Sequence, residues 1–103
     1  MSGPVAKAAD IPAGTVKIVQ AGKYRIALCN VDGTFYAIED VCTHDDGPLG
    51  EGQLDGCKIE CPRHGAKFDV RNGSAVQMPA IIPVKTFPVK VEGDDIFIEV
   101  SVG

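Results

Sequence analysis

Between Asp40 and Ser74 the chain is broken by Gly47, Pro48, Gly50, Gly52, Gly56, Pro62, Gly65 and Gly73. Glycine costs a helix conformational entropy, and proline removes a backbone donor and clashes with the preceding turn. A third of the sequence therefore cannot form a long helix. What can form there is short: strands around Gln53-Leu54, Lys58-Ile59-Glu60 and Lys67-Phe68-Asp69, with a tight turn at Asn72-Gly73.

The flanks carry a strand pattern. Thr15 to Gln20 alternates in polarity, and Tyr24 to Val31 is apolar and β-prone, as a buried strand would be. Asp32-Gly33 is a hairpin signal, and Thr34 to Glu39 is the return strand. Thr86 to Glu92 sets Phe87, Val89 and Val91 on one face; Gly93-Asp94 turns. Asp95 to Val100 sets Ile96, Ile98 and Val100 on one face, with Phe97 opposite. Ile11-Pro12-Ala13-Gly14 reads as a turn, Met78-Pro79-Ala80 and Pro83 as a loop. Met1 to Ala9 reads as a small-residue segment loosely held at its start. Many short strands between Gly and Pro turns indicate an all-β sandwich or partial barrel. A length of 103 residues suits one domain over residues 1–103, with one modest core.

The broken stretch also holds the chemistry. It contains Cys42-Thr43-His44, then sixteen residues from Asp45 to Glu60, then Cys61-Pro62-Arg63-His64. Both histidines of the chain and two of its four cysteines are in this set. Two thiolate–imidazole pairs on two loops make a four-point metal cage. Such donors suit zinc, copper or iron–sulfur centres rather than calcium or magnesium. Cys29, inside an apolar strand, reads as core; Cys57, four residues before Cys61, reads as a free thiol outside the ligand set. Asp45, Asp46, Glu51 and Asp55 read first as a solvated acidic face and second as a docking aid.

Cys-x-His, a mid-teens spacer, then Cys-x-x-His and Gly65 resembles the Rieske [2Fe–2S] motif. The similarity continues through Asp40-Val41-Cys42-Thr43-His44, through Glu51-Gly52-Gln53-Leu54-Asp55-Gly56 and through Cys61 to Asp69, and covers about Ile11 to Val100. The resemblance implies a Rieske-type all-β fold, an antiparallel sandwich or partial barrel with an inserted cluster-binding subdomain over about residues 40–82. It implies one [2Fe–2S] cluster, with Cys42 and Cys61 on one iron and His44 and His64 on the other. Gly47, Gly65, Pro48, Pro62 and Pro79 would keep the loops close to it. Neutral imidazoles in place of two thiolates raise the potential from roughly −400 mV into a range of about −150 to +300 mV. The high-potential branch of the family carries a Ser and a Tyr that donate to the cluster sulfurs, and an extra Cys in each loop, paired as a disulfide. Ala66 and Phe68 stand at the first two positions here, Gly47 and Arg63 at the others. The low end, roughly −150 mV, is therefore expected.

A net charge of −4 argues against nucleic acid or an anionic membrane as partner. No apolar run is long enough to span a bilayer, and Met1 to Asp10 has neither a signal-peptide core nor a twin arginine. A cytoplasmic monomer is the expectation. By resemblance, the chain is a soluble one-electron carrier rather than an enzyme. It would pass electrons from a flavin-containing NAD(P)H reductase to a terminal non-haem iron oxygenase such as an aromatic-ring dioxygenase. A small subunit of a nitrite reductase is the alternative that keeps the cluster; a structural zinc module is the alternative that does not. No phosphate-binding glycine loop or nicotinamide fingerprint is present, and once both histidines are used no 2-His-1-carboxylate iron site can be built.

Overall fold

The fold is given by a computed structural model that describes residues 4–41, 49–50, 52–62, 65–78 and 82–100. It contains eleven strands among these residues: β1 (Ala6–Lys7), β2 (Val16–Ala21), β3 (Tyr24–Val31), β4 (Thr34–Glu39), β5 (Leu54–Asp55), β6 (Lys58–Glu60), β7 (Lys67–Asp69), β8 (Ala75–Gln77), β9 (Thr86–Phe87), β10 (Val89–Glu92) and β11 (Asp95–Ile98). The described helix is one 3-10 turn, Ala8–Asp10.

β3 explains the layering. Its side chains alternate between the two faces of a sheet, and both faces are buried. Ala27 and Cys29 point into one core with Ile38 of β4; Ile26 and Leu28 point into a second core with Ala37. A strand buried on both faces reads as a continuous apolar run, as Tyr24 to Val31 does. The central sheet therefore has the order β2-β3-β4-β9, with an N-terminal sheet, β1-β11-β10, on one side. The inserted sheet, β5-β6-β7-β8, meets the other side, and all described pairings are antiparallel.

The β3–β4 hairpin turns at Asp32 (φ 51°) and Gly33 (φ 91°), both left-handed, as a two-residue turn of matching twist requires. The buried side chain of Asn30 braces that turn. Its Oδ1 accepts the Gly33 N–H at 2.8 Å, and its Nδ2 donates to the Ile11 carbonyl at 2.7 Å.

One expectation changes and two further strands form. The segment from Thr86 to Glu92 is not one strand: it breaks at Pro88, so β9 pairs with β4 of the central sheet and β10 with β11 of the N-terminal sheet. Proline cannot donate to a ladder, and the chain changes sheets where no donor is needed. Val89 and Val91 do face the same way as Ile98 and Ile96, yet Val91 stands 44% exposed on the outer strand. Residues 5 to 8 are held, while residues 1 to 3, where looseness was expected, lie outside the described residues. β1 pairs with β11, the Val5 and Ala8 N–H groups donate to Ile96 and Asp94, and Lys7 bonds Asp95 at 3.0 Å. Finally, β8 forms from Ala75-Val76-Gln77, which the sequence did not mark as a strand.

Candidate metal centre

The inserted sheet lies in sequence between β4 and β9; the first ligand segment precedes β5, and the second joins β6 to β7. Cys42, His44 and His64 fall outside the described residues, as do Asp45, Asp46, Gly47, Pro48, Glu51, Arg63 and Pro79. Cys61 is described. It follows β6 directly and is buried against Leu49, Ala66 and Phe68 in the core between the central and inserted sheets. Its N–H donates to the Ala66 carbonyl at 2.6 Å, and its carbonyl accepts the Gly65 N–H at 3.0 Å. These two bonds hold Cys61 against Gly65 and Ala66. Gly65 sits at φ 75°, a left-handed conformation that suits glycine. Gln77 of β8 secures Gly65 from the side, its Nε2 donating to the Gly65 carbonyl at 3.1 Å.

The first segment is anchored at both ends. Val41 follows β4 and Asp40. At the far end Leu49 is fully buried in the core with Cys61. Gly50 donates its N–H to the Asp40 carboxylate, and a Cβ on Gly50 would collide with the Ile18 side chain. Gly52 then passes so close to β6 that a Cβ would collide with the Glu60 carbonyl. The Gly52 N–H donates to Leu49 O and the Glu60 N–H to Gln53 O. The exit of the first segment is therefore packed backbone-to-backbone against the strand that leads into Cys61.

The other cysteines separate from this site. Burial pushes the Cys29 thiol up to about 12, so at neutral pH it is a protonated core group, as expected. Cys57 is a free, half-buried thiol 3.9 Å from Asp69 Oδ2. Arg71 donates to both oxygens of Asp69, Nε to Oδ1 at 3.0 Å and an NH2 group to Oδ2 at 2.8 Å, and holds that carboxyl below the ordinary carboxylate range. Among the described residues no group of three or more Cys, His, Asp or Glu converges as a metal site. No described helix is long and apolar enough to cross a membrane.

Ala66 and Phe68 are both fully buried beside Cys61, and neither offers a hydroxyl. Sequence reasoning missed Asp40, Arg25, Gly50's role and Gln77. One signal existed for the first pair: counting back from the Asp32-Gly33 turn places Arg25 opposite Asp40.

An all-β fold with an inserted four-stranded sheet, and a sequence that sets one Cys/His pair before that sheet and another between β6 and β7, define the class: an all-β protein with a soft-donor ligand pattern. The chain belongs to the Rieske [2Fe-2S] domain family, which matches residues 2–88. The ferredoxin component of biphenyl 2,3-dioxygenase from Rhodococcus jostii (strain RHA1) is 40% identical over 99 residues, 96% of this chain and 92% of that protein. The ferredoxin subunit of 3-phenylpropionate/cinnamic acid dioxygenase from Escherichia coli (strain K12) is 46% identical over 92 residues, 88% of this chain and 86% of that one. In the solved complex of reduced oxygenase and oxidized ferredoxin of carbazole 1,9a-dioxygenase, one chain superposes with a TM-score of 0.88 at 38% identity. The match covers 92% of this chain and 89% of that one.

Proposed function

We propose that the chain is the ferredoxin of a multicomponent oxygenase, taking electrons from a flavin-containing NAD(P)H reductase and delivering them to a terminal non-haem iron oxygenase. An aromatic-ring dioxygenase is the oxygenase class its relatives' names favour. The observation that carries the reading is the pairing of Cys-x-His before the inserted sheet with Cys-x-x-His between β6 and β7, in a Rieske-family chain. Cys42, His44, Cys61 and His64 are the proposed ligands, and the donor chemistry fits the group: thiolates for one iron, imidazoles for the other. Bound there, a [2Fe–2S] cluster supplies a one-electron couple.

The protein's own part is to hold the donors, tune the couple and dock. Holding falls to the bonds that join Cys61 to Gly65 and Ala66 and to the two-ended anchoring of the first segment. Tuning follows from what surrounds Cys61. Hydrogen bonds to cluster sulfurs stabilise the reduced form, and the apolar Ala66 and Phe68 provide none from their side chains. That favours a potential near the low end of the Rieske range, roughly −150 mV. Docking has apolar surface to use. Val76 and Met78 flank Gln77, the residue bonded to Gly65, and with Ile82 they are exposed. Exposed apolar groups beside a redox site suit a short-lived contact with a partner protein. The charge of −4 favours a partner with a basic face. A cytoplasmic monomer, docking transiently, is the form in which we expect it to act.

The test is purification followed by redox titration and reconstitution. A brown protein whose visible bands bleach on one-electron reduction near the low end of the range, and which sustains turnover of a terminal oxygenase from a flavin reductase, bears the reading out. A colourless zinc protein contradicts it, and so does a bleaching protein that no oxygenase can oxidise.

A further inference from the structure

One side chain ties together the two ends of the first ligand segment. Asp40 lies just beyond β4, and its carboxylate is wholly buried, with 0% of the side chain exposed. Its Oδ2 accepts from Arg25 Nε at 2.7 Å, and its Oδ1 accepts the backbone N–H of Gly50 at 2.6 Å. The Asp40 N–H in turn donates to the Arg25 carbonyl at 2.8 Å, extending the β3–β4 ladder by one rung. A buried carboxylate is costly unless paired and hydrogen-bonded, and here both conditions are met. In sequence, Cys42 and His44 lie between the two points this carboxylate joins.

Gly50 has no freedom to retreat. Its Cα is pressed against Ile18, and Leu49 before it is buried in the core. Gly52 after it is seated on the Glu60 carbonyl, at the entrance to Cys61. A shift of Gly50 would therefore move the first ligand segment relative to the second.

We propose that Asp40 is the positioning residue of the centre: held by Arg25, it pins Gly50 to the end of β4 and so fixes the spacing between the Cys42–His44 and Cys61–His64 pairs. This rests on the ligand assignment proposed above. Asp40 touches no metal in this account; it acts through the backbone that carries the ligands. Groups that orient ligands from behind are worth about 10- to 100-fold in metal retention.

The experiment compares wild-type holoprotein with Asp40→Ala, Asp40→Asn, Arg25→Gln and Asn30→Ala. Asn30 is a buried polar brace of similar kind at the distant β3–β4 turn, so its variant reports general destabilisation. Cluster loss to an iron chelator is followed by visible absorbance, each variant held equally far below its own melting midpoint. The g-values of the reduced protein and hydrogen exchange at the Gly50 amide are recorded alongside. Asp40→Ala is expected to lose its cluster about 10- to 100-fold faster, with shifted g-values and a deprotected Gly50 amide. Asp40→Asn keeps an acceptor for Gly50 but turns an N–H2 group toward Arg25, so it falls between. Asn30→Ala keeps the wild-type rate and spectrum.

Equal rates and unchanged spectra for Asp40→Ala and Asn30→Ala would overturn the proposal. If Asp40→Ala does not accumulate folded, Arg25→Gln decides: a wild-type rate and a protected Gly50 amide would overturn it, and a faster rate supports it. A wild-type protein without labile sulfide would remove the ligand assignment alone. The pinning of Gly50 would still be judged, for or against, by exchange at its amide in the same variants.

Discussion

Gly52 shows how closely the chain beyond the first ligand segment approaches the strand that precedes Cys61. Its backbone rests on the carbonyl of Glu60, one residue before Cys61. Adding one methyl forces two backbones apart where no flexible side chain can yield. Gly52→Ala is expected to cost about 1 to 3 kcal/mol by overpacking, read as a lower midpoint in denaturant unfolding. Gly56, whose Cβ would meet open space, supplies the comparison: its φ of 60° makes alanine there strained but not obstructed. A Gly52→Ala midpoint equal to wild type would contradict the packing. The sequence offered Gly52 only as one breaker among several, because close approach between distant backbones leaves no local mark. Asp40 was nearer to legible. The Asp32-Gly33 turn sets the hairpin register, Ile26 pairs with Glu39, and the next rung joins Arg25 to Asp40. Opposite charges on facing residues are a readable signal once the register is known.

Among elements, the hairpins were plain and the sheet changes were not. β3 and β4 have the limits their patterns suggested, since a long apolar run and a left-handed turn are local properties. β9 and β10 looked like one strand because polarity alternates straight through Pro88; only the partner strands reveal the switch. β1 and β8 are short and mostly unburied, so packing left little imprint on their composition. The turn between β7 and β8 is held by a charge. The Asp69 carbonyl accepts from Gly73 N–H at 2.7 Å, and its carboxylate is forked by Arg71. Arg71→Ala is expected to lower the unfolding midpoint modestly at neutral pH, since bonds to a charged group are strong but this guanidinium is largely in water. The pH dependence follows from the direction of the Asp69 shift. A carboxyl held low in the folded state stabilises fully above its unfolded value, about pH 4, and loses that contribution as pH falls through the folded value. Unfolding curves of wild type and Arg71→Ala should therefore converge on acidification. A gap that persists at pH 2 would mean that Arg71 acts through packing instead.

The whole molecule divides its labour between layers. The central sheet buries both faces, and its second face supplies the floor on which the inserted sheet and Cys61 rest. Docking should then be separable from redox tuning. Met78 is 75% exposed and contributes to no described core cluster. Met78→Lys is expected to leave the potential and melting midpoint unchanged while raising the ferredoxin concentration needed for half-maximal oxygenase turnover by about tenfold, a loss of about 1.4 kcal/mol of docking energy. An unchanged half-saturation would place the partner on another face.

Mixed thiolate and imidazole ligation is the central claim about how this protein carries an electron. The most direct measurement is nuclear-coupled electron paramagnetic resonance of the reduced protein grown with 15N-histidine. Strong couplings from two inequivalent histidine nitrogens, both lost to natural-abundance patterns without the label, are the predicted result. A reduced cluster that shows no histidine nitrogen coupling, or coupling from one ring only, would contradict it.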